Sequence, residues 1–242
     1  MSNTFSLYNT VTTFQKKQRA AYDEYMQTIE SIADAKGSKY YADREQAAME
    51  KRKATEESAR ADARYWLKKN IEGMAAANRK RKAIAPTSEQ LALLQAMKMR
   101  TSATDAELEQ LANSMDGNAV GLAVIQDFAN DMYARRNKEK GNGTGIPYNG
   151  FPRNYLALAK NDYPADAVEK ELSNIASACN RIINSDGASY IAGFASDRSN
   201  KLYGTNYSRD DLKRERIASS ESDFFESVSS IPFETLQHCV NE

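Results

Sequence analysis

The stretch that decides the fold is residues 39–83, KYYADREQAAMEKRKATEESARADARYWLKKNIEGMAAANRKRKA. It contains no proline and a single glycine, and it is rich in Ala, Glu, Lys and Arg, which lose little on entering a helix. Gly73 costs a helix only about 1 kcal/mol relative to alanine, so packing decides whether the helix continues through it. The stretch therefore predicts one long helix, the second in the chain.

Residues 5–35 predict a first helix that ends near Gly37. Apolar side chains recur there at alternating steps of four and three residues, with Gln18 and Thr28 in the two gaps. In the second helix Ala47, Ala54 and Ala61 keep a seven-residue spacing, and bulky apolar residues cluster in its last part, from Tyr65 to Met74. Its first half must therefore be solvated or packed through small-residue contact. The pattern predicts a coiled-coil-like pair whose seam weakens toward the start of the second helix.

A short turn around Gly37 and Ser38 favours packing of these two helices as an antiparallel hairpin over residues 5–84. Parallel self-association is the alternative arrangement. The candidate association seam consists of the bulky apolar residues of both helices: Leu7, Val11, Phe14, Tyr25, Ile32, Tyr65 and Trp66.

Residues 87–136 predict a small three-helix module. Thr87 with Gln90, and Thr104 with Glu107, have the spacing with which two side chains cap the start of a helix reciprocally. A third helix is predicted from Asn118. The apolar positions expected to form one core are Leu91, Leu94, Met97, Leu108, Leu111, Ala112, Met115, Leu122, Ile125, Phe128, Ala129 and Met132.

Residues 137–152, NKEKGNGTGIPYNGFP, concentrate the Gly, Asn and Pro that interrupt regular structure, and they predict a linker. Beyond it, residues 153–242 predict a C-terminal helical region, with helices at 154–160 and 165–184 and an irregular segment at 187–207. The predicted fold class is thus mainly α: a long N-terminal helical hairpin, a small helical bundle, and a less regular, mostly helical C-terminal region.

No residue pattern indicates a catalytic, cofactor or metal site. The chain has one histidine and two cysteines, and Cys179 lies among apolar residues at helical spacing, as a buried thiol does. His238 adjoins Cys239 without further ligands at metal-binding spacing. We therefore expect a protein that is not an enzyme and has no cofactor, and a site assembled from distant residues is the third alternative.

An excess of basic residues in the long helix supports the alternative hypothesis that the chain binds nucleic acid. Residues 36–82 contain 14 Lys and Arg against 7 Asp and Glu, although the whole chain balances 33 against 33. Such a helix would attract phosphates without reading bases. The candidate phosphate contacts are Lys51, Arg52, Lys53, Arg79, Lys80, Arg81 and Lys82. The acidic residues 205–242, with 8 Asp and Glu against 4 Lys and Arg, would instead favour contact between subunits.

No secretion or membrane signal is apparent. The first thirty residues lack the basic start and apolar run of a signal peptide, and no stretch approaches the roughly 20 apolar residues of a membrane span. We expect a cytoplasmic protein without a membrane partner.

The stretch 104–132, TDAELEQLANSMDGNAVGLAVIQDFANDM, follows a long charged helical hairpin. In this order of helices the chain resembles uncharacterised helical proteins encoded among the head genes of tailed bacteriophages, over roughly its first 140 residues. The resemblance implies a virion or capsid-assembly role. It also implies a partner that is the chain itself or another virion protein, in the host cytoplasm or incorporated in the particle.

Overall fold

The computed structural model describes residues 3–81, 84–141, 151–184 and 221–241. Within these ranges every regular element is a helix, which confirms the prediction of a mainly α fold. The α-helices are α1 (Asn3–Ser31), α2 (Lys39–Asn78), α3 (Ser88–Lys98), α4 (Asp105–Ser114), α5 (Ala119–Gly141), α6 (Ala165–Asn184), α7 (Glu221–Val228) and α8 (Phe233–Asn241). Short 3-10 helices occupy Ala33–Ala35 and Tyr155–Leu158.

The chain divides into two compact units, each made of two separate segments. Unit 1 comprises Met1–Gly73 and Ile175–Ser227, and unit 2 comprises Met74–Asn174 and Val228–Glu242. The predicted domains instead follow one another along the chain. Most of the predicted linker at 137–152 and all of the predicted irregular segment at 187–207 lie outside the described residues, so that division stays a prediction.

In unit 1, α1 and α2 form an antiparallel hairpin. The turn contains Gly37 at a φ of 90°, a left-handed conformation that glycine adopts without strain, and the Ser38 hydroxyl accepts the Tyr41 N–H at 3.1 Å to cap α2. Moving back along α1, Glu24 binds Lys51 at 2.5 Å and Lys17 binds Asp62 at 2.9 Å. The residue number of the α2 partner rises as that of the α1 partner falls, as antiparallel packing requires.

The inward face of α2 repeats every eleven residues. A line of buried or half-buried positions advances in steps of four, three and four, at residues 41, 45, 48, 52, 56, 59, 63, 67 and 70, and the half-buried residues 49, 60 and 71 lie beside it at the same eleven-residue spacing. Ala47, Ala54 and Ala61, which repeat every seven residues, are all exposed, so of the two predicted alternatives they are solvated rather than packed through small-residue contact. An eleven-residue repeat has about 3.67 residues per turn, which is closer to the 3.6 of a straight α-helix than the 3.5 of a heptad seam. Gly73 does not break the helix.

The same period explains which residues of α1 are buried. Leu7, Gln18 and Ile29 lie eleven residues apart and are at most 2% exposed, and the buried residues Val11 and Tyr22 are also eleven residues apart. The predicted gap residue Gln18 is therefore inside, while predicted Tyr25 is only half-buried. The buried face of α1 is wider than a heptad seam would be. Along the helix it shifts gradually toward Tyr22, Met26 and Ile29.

Other parts of unit 1 contact the hairpin through polar and aromatic groups. The Arg60 guanidinium donates to the Ile183 carbonyl at 3.0 Å, and Arg64 donates to the Asn184 side chain at 2.6 Å. The rings of Tyr8 and Phe224 lie 6.1 Å apart. The end of α6 and the buried face of α7 thus belong to the same packed unit as the hairpin.

In unit 2, α3, α4 and the 3-10 helix Tyr155–Leu158 pack against α5. Both predicted capping boxes are present, at Thr87 with Gln90 and at Thr104 with Glu107, which confirms the starts of α3 and α4. The core of this packing includes Tyr155, whose N–H donates to the buried Gln126 side chain at 2.6 Å. It therefore extends past residue 136, where the predicted three-helix module ends.

A buried carboxylate attaches the C-terminal segment to unit 2. Glu171 of α6 is 7% exposed, and it accepts hydrogen bonds from the Ser230 backbone N–H at 3.0 Å and from the Ser230 hydroxyl at 2.6 Å. Asn154 donates to the Ser230 carbonyl. On the following turn and α8, Ile231 and Leu236 are fully buried, so these residues complete the core of the unit.

The capping carboxylate of α4 predicts an acid-sensitive contribution to stability. Hydrogen bonds from the Thr104 backbone N–H and from Arg100 lower the pKa of Glu107 from 4.5 to about 2. Because the folded-state pKa is the lower one, this stabilisation is complete above about pH 4.5 and is lost as the pH falls toward 2. In Glu107→Gln, the free energy of unfolding should fall less over this interval than in the parent chain.

Urea unfolding at a series of pH values measures this difference. Glu234→Gln is the matched control, because Glu234 is an exposed carboxylate in the first turn of another helix. Parallel pH profiles for the parent and Glu107→Gln would contradict the assignment.

Candidate functional site

An apolar groove lies between α3 and α4 in unit 2. Its volume is about 380 Å³, and its principal lining residues are Leu93, Ala96, Met97, Arg100, Leu108 and Leu111. We call it the α3–α4 groove. Its apolar side chains come from two helices whose start sites are fixed by capping, so the walls are held in place by hydrogen bonds at Thr87 and Thr104.

The groove exists because α3 has more apolar side chains than its contacts with the rest of the unit bury. Of the apolar side chains in SEQLALLQAMK, only Leu94 and Met97 are buried, whereas Leu91 is 48% and Leu93 is 46% exposed. The expectation that Leu91 shares the core with Leu94 and Met97 is therefore wrong. The helix contacts the rest of the unit along a narrow line, and Leu91 lies outside it.

Leu93 was not among the predicted core or site residues, although its spacing from neighbouring residues indicates a shared helix face. Glu89, Leu93, Ala96 and Arg100 follow steps of four, three and four, which place them within about 60° of one another around a helix. Leu93, Ala96 and Arg100 all line the groove. Arg100 also donates to Glu107 at 3.0 Å, with half of its side chain exposed. The groove thus has an apolar wall that ends at the basic Arg100, and the acidic Glu89 lies on the same side of α3 outside the groove.

The predicted association seam is divided between the inside and the surface of unit 1. Leu7, Val11, Phe14 and Ile32 are buried within a single copy of the chain, so they are not accessible to a partner. Tyr65 and Trp66 are instead 60% and 49% exposed. Tyr25, the remaining member of the seam, is half-buried. A role in association between chains stays a prediction for Tyr25, Tyr65 and Trp66.

Tyr65 and Trp66 form a compact aromatic pair on α2. Their ring centroids are 5.5 Å apart in an edge-on arrangement, and the Lys69 ammonium lies 4.9 Å from the Trp66 ring centre. Trp66 also borders a groove of about 300 Å³ between α1 and α2. That groove is lined mostly by polar side chains, including Thr10, Asp62 and Asn70.

Arg81, one of the predicted phosphate contacts, is instead part of the interior of unit 2. Its side chain is 9% exposed, and it donates to Asp162 at 2.9 Å and to the Asn78 side chain at 3.0 Å. It also donates to the Tyr163 carbonyl. A guanidinium with three protein acceptors and so little exposed surface is not available to a phosphate.

The other predicted basic residues are unequally available. Arg52 is half-buried, bonded to Glu56 at 2.6 Å and stacked 5.3 Å from the Tyr22 ring centre. Lys51 and Arg79 are exposed and paired with carboxylates, and Lys53 and Lys80 are exposed. Lys82 lies outside the described residues. The structure therefore does not assemble the seven predicted contacts into one basic surface.

The groups considered for chemistry are placed as follows. Cys179 is fully buried, and burial raises the pKa of its thiol to about 12, which makes it a poor nucleophile near neutral pH. His238 is exposed on α8, and the neighbouring Cys239 thiol contacts the Asn161 carbonyl at 3.8 Å. Among the described residues, no group of three or more His, Cys, Asp or Glu side chains is arranged to hold a metal ion. The expectation of a chain without catalytic or cofactor sites stays a prediction.

None of the helices in the described ranges has the length and apolarity needed to cross a bilayer. No protein-family model matches the chain, and the searches of curated proteins and of solved structures found no match.

Proposed function

We propose that this chain is a non-enzymatic structural or assembly protein of a bacteriophage or prophage particle, acting through helix-mediated association with other proteins. The observation that supports association is the α3–α4 groove, with Leu93 exposed along a line of apolar side chains. The phage context is supported by the resemblance of residues 104–132 and the preceding hairpin to phage head-region proteins. In this proposal the chain is made in the host cytoplasm and is then incorporated in a virion.

The groove has the chemistry of an interface rather than of a small-molecule site. Fully burying one leucine side chain contributes about 1.5–3 kcal/mol, so covering the half-exposed Leu93 contributes a useful part of a binding free energy. Arg100 and Glu107 at its edge supply a charged rim. An apolar centre with a charged rim is typical of protein–protein contacts.

The nucleic-acid alternative is weaker as a proposal. Phosphate binding would depend on clustered, accessible cations, whereas Arg81 is buried and Arg52 is bonded to Glu56 and stacked on Tyr22. The exposed Lys51, Lys53, Arg79 and Lys80 remain as its possible contacts.

Incorporation into particles tests the proposed function. Particles are purified from cells in which the phage or prophage carrying this gene is induced, and the copy number of the chain per particle is measured by quantitative mass spectrometry. We expect a fixed copy number for the parent chain. Leu93→Asp should lower it at least 10-fold, because the aspartate places a charge in the groove that the partner covers.

Leu91→Asp is the matched control. Leu91 lies on the same helix with nearly the same exposure, 48% against 46%, but about 160° around the helix from Leu93. It should be incorporated at the parent copy number. Absence of the chain from purified particles, or equal incorporation of both variants, would overturn the proposed function.

A further inference from the structure

The exposed strip of α3 carries charges of opposite sign at its two ends, with apolar side chains between them. Glu89 lies at its start, Leu93 and Ala96 at its centre, and Arg100 just beyond its end. Glu89, Leu93 and Ala96 are exposed, and half of the Arg100 side chain is exposed. A strip with an acid at one end and a base at the other is complementary to a copy of itself turned end over end.

The register of that pairing follows from the spacing alone. If two α3 helices lie antiparallel with their midpoints between residues 94 and 95 facing each other, Glu89 of each copy lies opposite Arg100 of the other. The same register sets Leu93 opposite Ala96, so a large side chain meets a small one at both central positions. Eleven residues separate the charged ends, which places the two ion pairs about 16 Å apart with apolar contacts between them.

Such a pairing gives a closed dimer with twofold symmetry. A twofold axis makes every contact occur twice, which doubles the effect of each favourable pair and leaves no exposed half of the interface. An unrelated helical partner would need an apolar face, but it would not require the acid and the base of α3 to be equally distant from the centre of the strip. The charge pattern therefore favours a second copy as the occupant of the groove.

We propose that the α3–α4 groove is filled by α3 of a second copy of this chain, in an antiparallel dimer held by Leu93 and by two Glu89–Arg100 ion pairs. This inference rests on the proposed function, because it names the partner of the surface assigned there to association. The dimer is then the form in which the chain enters assembly.

Sedimentation equilibrium of the full chain over a range of concentrations tests the dimer. The parent chain should approach twice its 27.0 kDa mass, and Leu93→Asp should remain monomeric at concentrations where the parent is dimeric. The matched Leu91→Asp should dimerise like the parent. Circular dichroism of each variant checks that the helices are retained.

Charge exchange tests the register independently of the leucine. Glu89→Arg alone should raise the dissociation constant roughly 10-fold, because two ion pairs become two repulsive contacts. In a Glu107→Gln background, which removes the carboxylate that binds Arg100 within the chain, adding Arg100→Glu should restore most of the affinity, because the acid and the base then exchange ends. A monomeric parent chain, equal weakening by both leucine variants, or no rescue by the double exchange would overturn the proposal.

The two sets of outcomes separate this inference from the proposed function. A monomeric parent whose incorporation into particles still depends on Leu93 would overturn the dimer and leave the assembly role supported, with another virion protein in the groove. A dimer that depends on Leu93, in a chain absent from particles, would support the dimer and overturn the assembly role.

Discussion

Arg81→Ala is expected to lower the free energy of unfolding by about 3 kcal/mol, as removal of one partner from a largely buried ion pair does. Arg81 is 9% and Asp162 29% exposed, and the alanine would also leave the Asn78 side chain and the Tyr163 carbonyl without their guanidinium donor. Each group left unsatisfied in the interior adds to the loss. Urea unfolding of the parent and the variant at neutral pH measures the difference.

Arg79→Ala is the matched control for this prediction. Arg79 lies two residues earlier and binds Glu169 at 2.8 Å, but its side chain is 70% exposed. Water and salt screen an exposed pair of this kind, so the change should be much smaller than that for Arg81→Ala. Similar losses for both arginines would mean that Arg81 acts as a surface residue, and the nucleic-acid alternative would regain one of its contacts.

Phe14→Ala is expected to lower the free energy of unfolding by about 3–5 kcal/mol. Phe14 is 1% exposed in the α1–α2 hairpin, so the truncation leaves a cavity within a single copy of the chain. The loss should not depend on protein concentration, because the residue packs inside the chain rather than between chains. Thermal and urea unfolding at several protein concentrations measure both properties.

Tyr65→Ala is the control within the same unit. Tyr65 was predicted in the same seam as Phe14, but it is 60% exposed, and its removal should change the stability by less than about 1 kcal/mol. If the loss for Phe14→Ala instead grew on dilution, Phe14 would lie between subunits and the hairpin would be an intermolecular structure.

Local signals in the sequence located the helix starts well. Thr87 and Thr104 begin α3 and α4 because capping depends on residues only three positions apart. Helix α6 likewise spans the predicted 165–184, where apolar residues recur at helical spacing next to a proline that precedes the first turn. Features determined within one or two turns of the chain are thus accessible without a structure.

Features that depend on distant residues were missed. Arg81 belongs to a run of four basic residues, and nothing within that run indicates an acceptor at Asp162, 81 positions later. Phosphate contact was therefore a reasonable interpretation of the sequence, and burial in unit 2 withdraws Arg81 from it. The period of the hairpin was missed for a related reason, because alanines at 47, 54 and 61 suggest a heptad that packing does not use.

The candidate site was only half visible in the sequence. Apolar periodicity identified Leu94, Met97 and Leu108 correctly as core residues, and Met97 and Leu108 also line the groove. It assigned Leu91 to the core and gave no role to Leu93, because a helix with leucines on several sides does not reveal which of them its neighbours cover. The composition of α3 shows an excess of apolar surface, and only the structure shows where that surface lies.

The eleven-residue period of the hairpin makes its length a quantity that can change only in fixed steps. Removing or adding eleven residues in each helix at matched positions brings the inward side chains back to nearly the same angle on this period, whereas a step of seven rotates the inward face by about 30°. Each permitted step changes the reach of the hairpin by about 16.5 Å. The length of the hairpin can therefore vary in units of three helical turns without changing which side chains face inward.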